Sequence, residues 1–460
     1  MLLRAFTVTL SLVAQVTSLA VSTAPGSQLK SSPAHHWDIS QPLNGATFSY
    51  AKPFAGPSLD ASATYVSRLR GLRGRDSRRS SITAVSRLQA SHLDHPWNAS
   101  VSPVSVIGGY STQYAVECVW DDTPIWLLFD TGSSDTWAPN KNFDCLSSTG
   151  AVQPPQTCGV GPVQIEKFSG GLVDEVHMFV KYGSGETVSG PMGYAEVSCG
   201  GVHVSKQQVG LINSTYWHGN NVTSGILGLA YPSITSGFYG QVGEEAVWNT
   251  APYTPWFTRA VKQGAVAPVF SVALDRDSKG GVLAWGGLPQ NVDWEPGSMV
   301  STDLIIANIA GVQQTAWEYS FYTIIPDGLR WGEMYDDTKY PFIVDTGSSM
   351  IYLPPPLAET IAMSFEPPAT YLYQWGAYYA PCDSVPPAFG VVIEGKTFYI
   401  KPQDLIFQDI VDPATGFCAV ALTTGGMGPY ILGDVFLQSV VAVFDVGGAE
   451  MRFYSRYYSD

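Results

Sequence analysis

The sequence predicts an all-β protein built from two similar lobes with a cleft between them. Glycine and proline are abundant, with 46 and 32 of 460 residues, and they separate short β-branched strings such as residues 440–443. This pattern favours many short strands joined by turns over a helical bundle. In addition, an eight-residue segment of the first half recurs in the second half, which indicates duplicated domains.

Residues 1–20 have the features of a secretory signal peptide. Arg4 is a basic flank, residues 5–16 are mostly apolar, and the small residues before position 21 suit cleavage after Ala20. The apolar run is too short and too often interrupted by polar residues to span a bilayer, and no later stretch is apolar enough to do so. We therefore expect a secreted, extracellular protein with no membrane partner. Delivery to a vacuole would give the same sequence features.

Residues 21–95 differ from the rest of the chain. They are rich in serine, alanine and proline, and six arginines fall within residues 68–79. A disordered basic linker, or a tail that binds membranes or nucleic acid, has the same composition. We favour a removable basic propeptide, because a positive segment ahead of a negative body can lie across an acidic cleft and block it. Arg78-Arg79 is a natural processing point for a protease that cuts after dibasic pairs.

The charge of the chain is unevenly distributed. Residues 1–100 hold ten basic and four acidic residues, a net charge of +6, whereas the other 360 hold 24 − 10 = 14 basic and 39 − 4 = 35 acidic residues, a net charge of −21. A body this acidic argues against nucleic-acid binding, which needs a basic face. Protonation of carboxylates relieves its self-repulsion, so we expect an acidic working environment. Solubility alone is the alternative explanation.

Strand and turn signals begin at about residue 104. Apolar and β-branched runs alternate with turn residues, and one glycine-rich turn has the features of a hairpin tip. A short helix is predicted over residues 358–364, after a run of prolines. The predicted strands are residues 116–120, 126–129, 176–182 and 190–198, and the predicted turns are 121–124 and 183–185.

The internal repeat is the most informative feature. Residues 127–134 (LLFDTGSS) recur 215 positions later as residues 342–349 (FIVDTGSS). Each copy is followed by Ile-Leu-Gly, with Gly228 lying 98 residues after Asp130 and Gly433 lying 88 residues after Asp345. Two halves with the same ordered pieces imply two lobes of like fold, which we place at residues 96–305 and 306–460.

The repeated loops carry the chemistry that we expect of Asp130 and Asp345. A single Asp-Thr-Gly is an ordinary turn after a strand, but five identical residues that each follow three large apolar residues are not. If the two loops meet across a pseudo-twofold axis, the carboxylates lie within hydrogen-bonding distance and share one proton. The ionised member then acts as a general base on water, and the protonated member polarises a carbonyl group. The pair titrates as a unit, so the proton is assigned to neither residue.

These residues resemble the pepsin-like family of aspartic proteases, and a secreted, fungal-type member in particular. The shared proton of such a dyad is that family's own known behaviour. Residues 130–137 are similar to its first active-site loop, and residues 345–349 to its second. Residues 182–185 look like the flap tip. Residues 225–232 and 430–436 resemble the two strands that pack behind the loops, so the resemblance extends from about residue 104 to the end.

The resemblance implies supporting roles around the two aspartates. Threonines would hydrogen-bond across to the opposite loop, serines would donate to the outer carboxylate oxygens, and glycine backbones would help to hold the pair. These supporting residues are Thr131, Gly132, Ser133, Thr346, Gly347 and Ser348.

The resemblance also implies a flap that binds and covers the substrate. Tyr182, with Gly183 and Ser184 at the tip, would close over the peptide and hydrogen-bond Trp137, and closure would exclude water. Without the motif around them, Tyr182 and Trp137 would be interpreted as ordinary aromatic packing. Glu186 departs from the small or polar residues that are commoner at its position, which suggests altered specificity.

Six cysteines allow fifteen disulfide pairings, and the sequence alone does not choose among them. The resemblance implies two bridges, Cys145–Cys158 and Cys382–Cys418, and this leaves Cys118 and Cys199 as the third pair. Three sequons, at Asn98, Asn213 and Asn221, are candidate N-glycosylation sites in a secreted protein.

Together, these features and the resemblance predict a secreted aspartic endopeptidase that is made as a zymogen and works at acidic pH. We expect it to be a monomer without a metal or other cofactor, since His177, His203 and His218 form no metal-binding motif. Protein or peptide substrates would bind extended in the cleft. The alternative is a catalytically silent binding protein of the same fold. Such proteins typically lack an active-site Asp or Gly or the flap Tyr, and all of these are present here. The insertions at residues 143–167 and 237–256 have no assigned role.

Overall fold

The computed structural model describes residues 47–50, 65–69, 103–104, 113–275, 280–289, 292–308 and 318–457. The predicted signal peptide, residues 70–79 of the arginine-rich segment and Asn98 lie outside these residues. Short strands joined by turns dominate the described chain, and its helices are few and short. The prediction of an all-β fold is therefore confirmed.

The first half of the chain forms long paired strands. The strands are β1 (Thr47–Tyr50), β2 (Tyr65–Leu69), β3 (Pro103–Val104), β4 (Gln113–Trp120), β5 (Thr123–Asp130), β6 (Thr136–Leu146), β7 (Val152–Gln153), β8 (Leu172–Lys181), β9 (Thr187–Cys199), β10 (Val202–Tyr216), β11 (Ile226–Gly228), β12 (Gly237–Tyr239), β13 (Val269–Leu274), β14 (Gly281–Trp285), β15 (Val300–Asp303) and β16 (Ile305–Asn308).

The second half consists of shorter strands. They are β17 (Thr323–Ile324), β18 (Gly328–Trp331), β19 (Met334–Asp336), β20 (Phe342–Val344), β21 (Ile351–Leu353), β22 (Thr370–Leu372), β23 (Ala377–Ala380), β24 (Phe389–Ile393), β25 (Lys396–Ile400), β26 (Ile406–Val411), β27 (Cys418–Val420), β28 (Leu422–Thr424), β29 (Tyr430–Leu432), β30 (Val440–Asp445) and β31 (Glu450–Ser455).

The helices lie at strand ends and in connections. The α-helices are α1 (Trp256–Lys262), α2 (Pro355–Ala362) and α3 (Asp434–Leu437), and short 3-10 helices cover Pro155–Cys158, Pro232–Ile234, Val247–Asn249 and Pro402–Leu405. Among the described residues, no helix is both long and apolar enough to cross a bilayer.

The two halves repeat one local arrangement of strands. In the first half, β11 runs parallel to β5 and antiparallel to β6. In the second half, β29 runs parallel to β20 and antiparallel to β21 in the same way. In both halves the Asp-Thr-Gly loop leaves the strand that pairs with Ile-Leu-Gly. The sequence repeat therefore corresponds to a structural repeat that brings the same loop to the same place in each half.

A six-stranded sheet combines strands from the two halves in the order β15-β31-β30-β13-β14-β2. Strand β13 pairs with β30 and β14, and β2 pairs antiparallel with β14 along the edge. Phe270 of β13 stacks on Phe444 of β30 with ring centroids 4.6 Å apart, and both rings are fully buried. Burial of such rings removes a large apolar area from water and holds the two halves together.

The first half is dominated by a ten-stranded sheet that includes β4, β5, β6 and β8–β12. Strands β8 and β9 form a long hairpin, and β9 also pairs with β10 and β4. The predicted strands at residues 116–120, 126–129, 176–182 and 190–198 lie within or largely within β4, β5, β8 and β9, so these predictions are confirmed to within a few residues. The turn predicted at 121–124 is shorter, because β5 already begins at Thr123.

The predicted helix at residues 358–364 is displaced in the structure. Helix α2 covers Pro355–Ala362, so it begins within the proline run and not after it. Proline is well tolerated in the first turn of a helix, where its missing N–H has no intrahelical partner to lose. The prolines therefore start this helix.

The two disulfide bridges implied by the resemblance, and the third pair that they leave, are present in the structure. They are Cys118–Cys199, Cys145–Cys158 and Cys382–Cys418, and no cysteine is free. The first joins β4 to the end of β9. The second closes the base of the insertion at residues 143–167, and the third joins the segment after β23 to β27.

Candidate active site

The two Asp-Thr-Gly loops meet at the centre of the molecule through their threonines. The backbone N–H of Thr131 donates to Thr346 Oγ1, and the N–H of Thr346 donates to Thr131 Oγ1, both at 3.0 Å. Each threonine hydroxyl then donates across to the opposite strand, to Val344 O at 2.9 Å and to Phe129 O at 3.0 Å. These hydrogen bonds are buried and equivalent in the two halves, so they fix the two loops relative to each other.

Asp130 and Asp345 lie side by side above this contact, with similar hydrogen bonds. Gly132 N–H donates to Asp130 Oδ1 at 2.7 Å, and Ser133 Oγ donates to Asp130 Oδ2 at 2.5 Å. In the second loop, Gly347 N–H donates to Asp345 Oδ1 at 2.8 Å, and Ser348 Oγ donates to Asp345 Oδ2 at 2.6 Å. Each carboxylate is therefore oriented by a glycine and a serine of its own loop.

The glycines of the two loops make close approach of the carboxylates possible. A Cβ atom at Gly132 would lie 2.4 Å from Asp345 Oδ1, and one at Gly347 would lie 2.3 Å from Asp130 Oδ1. Any other residue at either position would therefore push against the carboxylate of the opposite loop. Here the need for glycine comes from this contact between loops.

Burial and the neighbouring Asp345 change the protonation of Asp130. The two residues are only 7% and 8% exposed. Burial, and then the nearby Asp345 charge, raise the pKa of Asp130 well above its usual range, against the opposing hydrogen bonds from Ser133 and Gly132. A hydrogen bond between the two carboxyl groups acts in the same direction. Asp130 is thus placed to hold a proton beside the second carboxyl group.

The hairpin of β8 and β9 places Tyr182 beside Trp137 of β6. Trp137 Nε1–H donates to the Tyr182 hydroxyl at 2.8 Å. Gly183 and Ser184 are exposed at the tip of the hairpin. A third aromatic residue, Trp217, meets both rings edge-on, with centroids 5.2 Å from Trp137 and 5.5 Å from Tyr182. No motif in the sequence points to Trp217, which lies 35 residues after Tyr182.

Asp135 connects the first loop to the insertion at residues 237–256. Its Oδ1 atom accepts hydrogen bonds from the Tyr253 hydroxyl at 2.6 Å and from Ser236 N–H at 2.9 Å. The side chain is buried, and burial raises its pKa against these two hydrogen bonds. The insertion therefore supports the loop that carries Asp130. Sequence reasoning did not find this link, since the two partners lie 118 residues apart and neither belongs to the repeat.

Asp434 is a further buried acid close to the pair. It follows Ile431-Leu432-Gly433 at the start of α3, and within the described chain neither of its carboxylate oxygens has a hydrogen-bond partner. Burial, and then the charges of Asp345 and Asp130, raise its pKa well above the usual range. The available signal in the sequence was an acidic residue directly after an apolar strand.

The other predicted sites lie away from this centre. Asn213 is exposed on β10, whereas Asn221 is half-buried and its N–H donates to Gly159 O at 2.6 Å. His177 is buried on β8 and contacts Glu245 at 3.0 Å, whereas His203 and His218 are exposed. Within the described residues, no cluster of three or more histidine, cysteine or acidic side chains is arranged to hold a metal ion.

Comparisons with known proteins agree with this geometry. The sequence model of the family "Eukaryotic aspartyl protease" matches residues 122–455. A probable aspartic-type endopeptidase of Aspergillus fumigatus is 32% identical over 424 residues, covering 88% of this chain and 91% of that protein. An acid protease of Saccharomycopsis fibuligera is 26% identical over 325 residues, covering 70% and 75% of the two chains.

The fold also matches a solved structure. The crystal structure of an aspartic proteinase from Irpex lacteus aligns with a TM-score of 0.56, covering 75% of this chain and 95% of that one. The sequence identity of that alignment is 18%, so this similarity concerns the fold.

Proposed function

Since this chain belongs to the eukaryotic aspartyl protease family and is an aspartic-type endopeptidase, we propose that Asp130 and Asp345 are its catalytic pair. The observation that carries this proposal is the symmetric contact of the two loops. Four hydrogen bonds of the two threonines place two buried carboxyl groups together, each oriented by its own glycine and serine. Two acids that share one proton supply a base and an acid at the same point.

The proposed reaction uses both members of the pair. The ionised carboxylate takes a proton from a water molecule between them, and the oxygen of that water bonds to the carbonyl carbon of the scissile peptide. The protonated carboxyl group gives its proton to the carbonyl oxygen, which leaves a tetrahedral diol. The C–N bond then breaks as the nitrogen takes a proton from the pair and a diol hydroxyl returns one to it. The pair ends with one proton, as it began.

Thr131, Thr346, Ser133, Ser348 and the two glycines would keep the pair in this geometry. Their hydrogen bonds hold the oxygens in place before the substrate arrives, so little reorganisation is needed during the reaction. This support is the same on both sides, which suits a reaction in which the two aspartates exchange the roles of acid and base.

We propose that the hairpin tip at residues 182–186 is a flap over the cleft. Trp137 Nε1–H donates a hydrogen bond to the Tyr182 hydroxyl, and Trp217 packs against both rings. A tip supported in this way would cover an extended peptide and exclude water during the reaction. Protein or peptide substrates would bind as an added strand, with side-chain pockets on alternate sides.

Two strands support the proposal that residues 21–95 form a propeptide. Strand β1 pairs antiparallel with β16, and β2 pairs with β14 at the edge of the six-stranded sheet. A propeptide that adds strands to the body would be removed after folding, with Arg78-Arg79 as the proposed processing site. Residues 1–20 would be the signal peptide, with lobes at residues 96–305 and 306–460; that boundary lies within β16.

An acidic working environment and secretion complete the proposal. The net charge of −21 after residue 100 and the raised pKa values of buried acids both favour a low pH. Three disulfides suit an oxidising compartment. The exposed Asn213 is the stronger glycosylation candidate of the two described sequons, since Asn221 is half-buried.

The test is a cleavage assay on the secreted protein between about pH 3 and about pH 7. An unstructured protein serves as substrate, with and without pepstatin, a transition-state mimic for this family, and N-terminal sequencing is run on the same sample. We expect cleavage that is strongest at acidic pH, blocked by pepstatin, and performed by a protein whose first residue lies after the arginine-rich segment. A folded, processed protein without any peptidase activity would instead favour the silent binding protein.

A further inference from the structure

Both carboxylate oxygens of Glu186 accept hydrogen bonds from other residues of the protein, at the base of the hairpin tip. Oε1 accepts a hydrogen bond from the backbone N–H of His218 at 2.7 Å, and Oε2 accepts one from Ser184 Oγ at 2.7 Å. The Glu186 side chain is 15% exposed, and the His218 ring nitrogen Nδ1 lies 3.9 Å from Oε1. One side chain thus joins the turn at residues 182–186 to the segment that follows β10.

The hydrogen bond from His218 N–H to Glu186 lies where the pairing of β9 with β10 ends. The last register pair of the ladder is Thr187 with Tyr216, and Thr215 Oγ1 also donates to Thr187 O at 2.9 Å. Beyond that pair, the N–H of His218 has no strand opposite it, and the Glu186 side chain takes the place of the missing backbone acceptor.

The segment joined in this way carries the aromatic support of Tyr182. Trp217 directly precedes His218 and contacts both Tyr182 and Trp137. The turn itself is closed by Tyr182 N–H to Glu186 O and by Gly185 N–H to Tyr182 O, both at 2.9 Å. Glu186 therefore accepts one hydrogen bond from Ser184, in the turn that holds Tyr182. It accepts the other from the backbone of His218, next to the Trp217 ring against which Tyr182 packs.

We propose that Glu186 is a positioning residue of the flap, which keeps Tyr182 against Trp137 and Trp217 by bridging Ser184 to the His218 backbone. The consequence for peptide cleavage rests on the proposed function, but the effect on flap order does not. Small or polar residues are commoner than glutamate at this position, which is why the sequence predicts altered specificity. Because both oxygens are already bonded within the chain, Glu186 acts on the position of the flap and not on the charge of the substrate.

Glu196 offers a matched control on the same pair of strands. Its Oε1 accepts Lys206 N–H at 3.1 Å, and its Oε2 lies 3.0 Å from His203 Nε2, so it also combines a backbone N–H with a nearby histidine. It lies ten residues further along β9, about 30 Å from the tip at the usual rise of a strand. Glu196→Ala should therefore remove the same kind of contacts as Glu186→Ala, a backbone hydrogen bond and a nearby histidine, without changing the flap.

The first experiment measures hydrogen exchange of peptides that cover residues 180–190 and 214–220 in the processed protein. In Glu186→Ala we expect exchange of the Tyr182, Gly185 and His218 amides to become about ten-fold faster, the effect of one lost buried hydrogen bond. In Glu186→Gln we expect exchange close to wild type, since the amide oxygen still accepts from His218 and its NH₂ group can donate to Ser184. In Glu196→Ala the flap peptides should be unchanged.

The second experiment measures kcat and KM on the same proteins. Glu186→Ala should lower kcat/KM about ten-fold for neutral and charged peptides alike, and Glu186→Gln and Glu196→Ala should stay within about two-fold. Unchanged flap exchange in Glu186→Ala, or equal acceleration in Glu196→Ala, would overturn the proposal. So would a change in Glu186→Gln that is confined to peptides with basic residues, because Glu186 would then bind substrate. If the wild type cleaves nothing, the exchange measurement still decides the role of Glu186.

Discussion

At the residue scale, Thr131 and Thr346 matter as much as the two aspartates. Each uses its hydroxyl as both donor and acceptor across the contact between the halves. Because all of these groups are buried, loss of one hydroxyl leaves a backbone N–H and a carbonyl without partners, and this costs more than the hydrogen bonds alone contribute.

The change Thr131→Val tests this role directly. Valine has nearly the same shape but removes the donor to Val344 O and the acceptor for Thr346 N–H. We expect the free energy of unfolding to fall by about 2–4 kcal/mol and kcat/KM to fall by at least about ten-fold. Denaturant unfolding and peptide cleavage measure these two effects. Thr131→Ser keeps the hydroxyl and is the control. If valine kept the stability and activity of the wild type, the hydrogen bonds of Thr131 would not be what holds the two loops.

Sequence reasoning reached most of the residues of this centre but not all of them. The two aspartates, threonines, glycines and serines lie in a repeated motif, so position along the chain was enough to single them out. Trp217, Asp434 and the bond between Asp135 and Tyr253 lie outside the repeat. Their contacts arise only when distant segments of the chain pack together, so no local pattern in the sequence predicts them.

At the element scale, the insertion at residues 237–256 is attached to the first loop through the buried Tyr253 hydroxyl. Tyr253 donates to Asp135 at 2.6 Å, and Asp135 is only two residues from Ser133, which orients Asp130. The hydrophobic pattern predicted the strands of the sheet well, because alternation and turn residues are local signals. It assigned no role to this insertion, whose short elements are held by contacts with the rest of the lobe.

Removal of the Tyr253 hydroxyl should therefore affect both stability and catalysis. In Tyr253→Phe, Asp135 keeps only the Ser236 donor for its Oδ1 atom, so we expect a loss of about 1–3 kcal/mol in the free energy of unfolding and a few-fold loss in kcat. Thermal unfolding and peptide cleavage measure the two quantities. Tyr239→Phe is the control, since Tyr239 lies in the same insertion and is 55% exposed. An equal effect of both changes would contradict the proposed link.

At the scale of the whole molecule, buried acids and a negative surface act in the same direction. Burial raises the pKa of Glu117 to about 7 and raises those of Asp135, Asp434 and Asp445. For such a group the folded state binds a proton more tightly than the unfolded state. The stability it contributes is complete below its unfolded pKa, near 4, and is lost as the pH rises through the folded value.

The melting temperature of the processed protein should therefore fall steadily as the pH rises from about 4 to about 8. Scanning calorimetry at closely spaced pH values, at constant ionic strength, measures this dependence. Asp434→Asn should flatten part of the decline, because an amide imitates the protonated acid and does not titrate. A melting temperature that rises toward neutral pH would show that other groups dominate, such as Asp327, whose pKa is lowered by Gly395 and Lys339 in spite of its partial burial.

A double-mutant cycle on the two aspartates tests whether they form one catalytic pair, with kcat/KM measured for Asp130→Asn, Asp345→Asn and the double variant. If the two carboxyl groups act as one unit, each single change should lower kcat/KM by at least about a thousand-fold, and the double change should lower it no further. Retained melting temperatures at acidic pH would show that the variants still fold. A single variant that keeps substantial activity, or losses that add in the double variant, would contradict a shared catalytic pair.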